Sequence, residues 1–283
     1  MRRGSSGRIG GRVAGLWAGL WLAVLMTFAA PAPARADVER LMQALMLDET
    51  IAQLRDEGLA YGARLADDML TTGNDPGWQA LSARIHDRQA MTRLLRDAFV
   101  ADFGATDTAA LIAFFEAPEG QALLRDELAA RRIMMDPEAE ATARAASASA
   151  DPDSPRQRRI TAFIEANDLL TQNVSGALNA SFLFMQGMAD GGALEMSEAE
   201  MLDHAWSQEE EVAIDTGAWI HAFLTLAYAQ QDDDLLDRYI ALSKTPEGQA
   251  LNRALFAGFD ALGAAQSYAL GLAIASRIGI ADL

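Results

Sequence analysis

The sequence predicts an all-α protein: two tandem repeats of a four- to five-helix bundle unit after a cleaved signal peptide. Three observations carry that expectation. Apolar residues recur at helical spacing along most of the chain, and no stretch alternates apolar and polar beyond a few residues. A fifteen-residue segment also recurs at an offset of 128. With 51% of its 283 residues apolar, the chain can fill a core.

In chain order, Arg2, Arg3, Arg8 and Arg12 precede an apolar run from Gly15 to Ala30, then Pro31, Pro33 and Ala34-Arg35-Ala36. That layout is a secretory signal peptide with cleavage after Ala36, and the run is shorter than the ~20 residues needed to span a bilayer. Removing residues 1–36 takes away five arginines and no acid, moving the formal charge from −17 to −22. The expected compartment is the periplasm. The zero cysteine count excludes a disulfide scaffold, a thiolate metal site and a cysteine nucleophile. The acidic balance argues against nucleic acid as a partner.

Residues 37–136 are expected to form the first repeat. Ile51, Leu54, Tyr61, Leu65 and Met69 mark one helix face from Asp48 onward, ended by Thr71 to Asn74. Asp75-Pro76 caps and opens one helix marked by Trp78, Leu81, Ile85, Leu95, Phe99 and Phe103, and Gly104 ends it. Thr106 or Asp107 caps a short helix, and Pro118 begins another running to about Met135. Residues 137–155, rich in Ala, Ser and acid, read as a linker. Residues 156–283 form the second repeat, with Gly191-Gly192 breaking its long helix. Ser197-Glu198-Ala199-Glu200 and Ser207 to Glu210 both read as capping boxes. Leu255 to Ile280 reads as a buried helix, since Asp260 and Arg277 make a membrane span costly. A homodimer interface is the alternative use of that segment, with Gly258, Gly263 and Gly271 permitting close approach.

The repeat is clearest where Leu111 to Arg125 aligns with Tyr239 to Arg253, nine of fifteen positions being identical. It centres on Pro118-Glu119-Gly120-Gln121 and Pro246-Glu247-Gly248-Gln249. Proline suits the first helical position, the glutamates meet the helix dipole, and the glycines allow close packing, so the motif reads as structural. At the start of each half Asp48 faces Asn167 at an offset of 119, which places a nine-residue insertion near Glu195 to Asp203. The motif aromatic-x-x-Pro-x-Gly-Gln-Ala, best at Phe114 to Ala122 and again at Thr245 to Ala250, resembles domain-of-unknown-function family 2059. Ser243 departs from it where an aromatic is expected. The resemblance implies small helical domains in exported bacterial proteins, and brings no catalytic residues.

No catalytic residue and no cofactor is assigned. His86, His204 and His221 stand apart in sequence, without metal-ligand spacing. Met185, Met188, Met196 and His204 offer a thioether–imidazole set suited to copper(I), against the simpler reading as core. Fifteen acids and no Lys or Arg lie between Arg159 and Arg238, read as a solvated face. The leading expectation is a non-enzymatic protein that binds a partner protein or an apolar ligand. An envelope hydrolase whose carboxylates meet only in the fold is the alternative.

Overall fold

The computed structural model describes residues 32–281, with side chains from Ala36 to Ile278. The basic leader and apolar run of the expected signal peptide lie outside the described residues. Thirteen α-helices and no strand occur among the described residues. The first six are α1 (Ala32–Ala44), α2 (Leu47–Met69), α3 (Pro76–Ile85), α4 (Arg88–Phe103), α5 (Ala109–Phe115) and α6 (Pro118–Ile133). After α7 (Pro137–Ser149) come α8 (Pro155–Ala166), α9 (Leu169–Asp190), α10 (Glu198–Trp206), α11 (Glu209–Ala227), α12 (Asp233–Ser243) and α13 (Pro246–Ala281).

Local chemistry sets most of these boundaries. Pro76, Pro118, Pro137, Pro155 and Pro246 each open a helix, where the missing N–H costs nothing. Asp75 accepts from the Trp78 amide at 2.7 Å, and Thr245 from the Gly248 amide at 3.0 Å. The Ser197–Glu200 capping box is formed. The Ser207–Glu210 box is not: Ser207 keeps helical φ and ψ of −61° and −16° as the C-cap of α10, donates to the His204 carbonyl at 2.7 Å, and leaves the N-cap position of α11 to Gln208. The helix expected from Trp78 to Phe103 is two helices. Asp87 caps α4 by accepting from Ala90, and the buried His86 ring sits 2.9 Å from the Ser82 carbonyl at the end of α3.

The segment expected as a linker is largely helix. Asp136 caps α7, and Arg144 pairs with Glu140 at 2.8 Å and with Asp215 of α11 at 3.0 Å. Alanine-rich sequence needs no apolar stripe to be helical, which is why periodicity missed it.

Six helices precede α7 and six follow it, one more per half than the largest unit expected. Met46 before α2 and Asp168 before α9 are the only non-glycine residues with positive φ among the described residues, at 54° and 48°. They pair the halves at an offset of 122, as do the caps Asp75 and Ser197. The offset reaches 128 only at the ends of α5 and α12, so the extra residues fall within α11, longer than α4, and α12, longer than α5. That displaces the insertion expected near Glu195 to Asp203. Asp48 faced Asn167 only because the left-handed pivot leaves no mark in side-chain type.

The two halves do not keep separate cores. One apolar cluster runs from Val38 to Leu262, drawing on helices of both, and a second joins Ala66, Trp78, Met188, Leu270 and Ile274. Helix α13 packs along α4 and α9. A Cβ on Gly258 would meet the Leu95 carbonyl oxygen at 3.0 Å, whereas Gly263 faces open space. Arg277 reaches back to Asp75 at 2.9 Å, tying the end of α13 to the start of α3. No helix among the described residues is long and apolar enough to cross a membrane.

Candidate functional site

The repeated motif is a helix-end clamp. Gln121 donates to the Ala44 and Phe115 carbonyls, both at 2.7 Å. Gln249 does the same to Ala166 at 2.7 Å and Ser243 at 2.6 Å. Each amide thereby satisfies carbonyls at the ends of two other helices. A Cβ on Gly120 would lie 2.2 Å from the Phe114 oxygen, and one on Gly248 2.0 Å from the Leu242 oxygen. Pro118, Glu119 and Pro246 are exposed and Glu247 is half-buried. Gln249→Ala should cost about 2 kcal/mol in denaturant unfolding by orphaning two carbonyls, while Glu119→Ala should stay within about 0.5 kcal/mol. Equal effects from the two changes would show that the amide is not a clamp.

The clamps frame a cavity of about 310 Å³. Its wall takes Leu45, Phe115 and Leu124 from the first half, and Phe163, Leu224, Tyr239 and Leu255 from the second. The residues flanking both left-handed pivots, Leu45 and Leu47, Asn167 and Leu169, border it. Tyr239 stacks on Phe114 with ring centres 5.4 Å apart and meets Phe163 at 4.7 Å, so aromatic contacts join the halves beside it. Ser243 stands where the first half has Phe115, and both line the wall. The departure from the aromatic motif leaves room there. Thr50, Arg131, Asn173, Phe256 and Phe259 also border a wetter hollow of about 410 Å³ that includes Asp260 and Gln266. In that hollow the Gln266 amide nitrogen is buried without a partner.

One acid faces this apolar space. Glu127 on α6 accepts from the Tyr228 hydroxyl at 2.7 Å. It keeps some accessible surface because it borders the cavity, yet protein encloses it. Burial pushes its carboxyl up to about 7, opposed by the Tyr228 hydrogen bond and aided by the charge of Asp126. Burial, then the charge of Glu127, pushes the Tyr228 and Tyr239 phenols well above their ordinary range. Arg131, the cation of the wall, is committed elsewhere. It binds Glu57 through two hydrogen bonds of 2.7 and 2.8 Å, and its guanidinium lies 5.9 Å from the Trp219 ring.

Glu127 was not singled out from the sequence, although a signal existed. It sits on the stripe of Leu123, Leu124, Ala130 and Met134, all buried, where an apolar residue is expected. Its counterpart at an offset of 128 is Leu255.

The other candidates fall elsewhere. Met188 is packed in the second core cluster, Met185 and Met196 are half-buried, and His204 is exposed with its ring 3.0 Å from the Gln208 amide. His86 is buried, and burial pushes its imidazole down. No group of three or more His, Asp or Glu among the described residues could hold a metal ion. Part of the acidic run is paired: Asp233 with Arg156 and Arg159, Asp237 with Arg159, binding α12 to α8. No known family model, curated protein or solved structure matches the chain.

Proposed function

We propose that this is an exported, non-enzymatic protein that takes up an apolar small ligand in the cavity between its two halves. The carrying observation is the cavity itself: a predominantly apolar wall drawn from both halves, at the lower end of the ~300–1,000 Å³ range of small-ligand pockets. The basic leader and apolar run support export, as does the resemblance of the Pro-Glu-Gly-Gln turns to family 2059. A paired-carboxylate hydrolase would need two acids at one reacting bond, and Glu127 is the lone acid on this wall among the described residues. Met188 in the core weakens the copper(I) reading.

Nile red offered to the full chain should bind saturably at one site with a blue-shifted emission. Ser243→Phe, which restores the aromatic of the first half, should weaken that binding about tenfold or more while the helical circular dichroism persists. Binding that ignores Ser243→Phe, or no saturable binding at all, would exclude the cavity as the site.

A further inference from the structure

We infer that the ligand is an apolar amine, its protonated nitrogen bound to the second oxygen of Glu127 and its hydrocarbon part filling the cavity. This rests on the cavity being the ligand site. Tyr228 donates to Oε1 of Glu127 at 2.7 Å, and Oε2 accepts no hydrogen bond from the described residues. A carboxyl half-satisfied against an apolar space is an anchor waiting for a donor. Most other polar groups of the wall have spent donors inward, the hydroxyls of Tyr239 and Ser243 excepted. Asn173 donates to the Leu169 carbonyl at 2.7 Å, Asn252 to that of Asn167 at 2.7 Å, and Thr50 to that of Met46 at 3.0 Å. Arg131 is held by Glu57. A carboxylate ligand would meet the Glu127 charge, and the cation of the wall, Arg131, is already paired. A carboxyl poised near 7 loses its proton readily to an amine. The chain as a whole is acidic, −17 in formal charge, which favours cations around it.

The test is displacement of Nile red from the full chain by dodecylamine, dodecanol and dodecanoate, in about 0.5 M salt to screen the surface charge. Dodecylamine should displace the dye at concentrations about tenfold or more below dodecanol, with dodecanoate weakest. Glu127→Gln should erase the advantage of the amine and leave dodecanol unchanged. Equal displacement by amine and alcohol, preference for dodecanoate, or an amine advantage that survives Glu127→Gln would each overturn the inference while Nile red still binds. Loss of dye binding to the native protein would instead bring down the cavity reading, and this inference with it.

Discussion

Gly271→Ala should destabilise the fold by about 3 kcal/mol or more, lowering the melting temperature by roughly 6–12 °C. A Cβ at 271 would lie 2.1 Å from the Phe184 carbonyl oxygen and 3.1 Å from the Met188 amide nitrogen. Both are backbone atoms of α9, so no rotamer change can relieve the clash. The opposite face is equally tight, with a Cβ at 187 placed 2.2 Å from the Tyr268 oxygen and one at 191 placed 2.3 Å from the Ala275 Cβ. Helices α9 and α13 therefore cross backbone to backbone, and the same two helices border the wetter hollow, to which α9 gives Asn173 and Gly176 and α13 gives Phe256 and Gly263. Gly263→Ala is the control. It meets nothing within 4 Å, so the gain in helix propensity should raise stability by up to about 1 kcal/mol. Urea unfolding of the two variants reads the contrast, and a Gly271→Ala protein within about 0.5 kcal/mol of the parent would refute the close crossing.

Where the sequence spoke through local chemistry, it was legible. Asp75, Ser197 and Thr245 cap as their side chains dictate, and each proline from Pro76 onward other than Pro152 starts a helix. Ser207 misled because it closes α10 in helical conformation rather than opening α11 in an extended one, and residue type alone does not reveal which helix a serine belongs to. The all-α class needed only periodicity. The sharing of one core by both halves needed the path of α13, which no period encodes. Small residues marked α13 as able to approach something closely. Its partners, α4 at Gly258 and α9 at Gly271, lie within the same chain, while Gly263 touches neither. The cavity was least legible of all. It depends on a missing volume at Ser243 and on an acid at Glu127 that is ordinary in type and unusual only in position.

That acid gives the second large effect, because its burial couples folding to protons. The Glu127 carboxyl stands at about 7 against an ordinary 4.5, so the folded state holds this proton more tightly than the unfolded chain does. Its contribution is then fully present below about pH 4.5 and is lost as pH rises toward 7, the unfolded state ionising first. At 1.36 kcal/mol per pH unit, reduced for water reaching the cavity, the loss should be about 2–3 kcal/mol. Charges near it fix the direction. Asp126 raises the carboxyl further, Tyr228 opposes through its hydrogen bond, and Arg131 is held by Glu57. The parent's own profile is composite. Burial pushes His86 and His221 down, so they cost stability as pH falls below 6.5, while burial pushes Asp260 up and acts as Glu127 does. Glu127→Gln isolates the term, since glutamine keeps an oxygen for the Tyr228 hydroxyl and cannot ionise. The variant should gain about 2–3 kcal/mol on the parent between pH 4.5 and 7.5, or roughly 5–10 °C in melting temperature, with the difference flat outside that window. A difference that does not move with pH would mean that the carboxyl is hydrated and ionises at its ordinary value, and the cavity would then be wet rather than apolar.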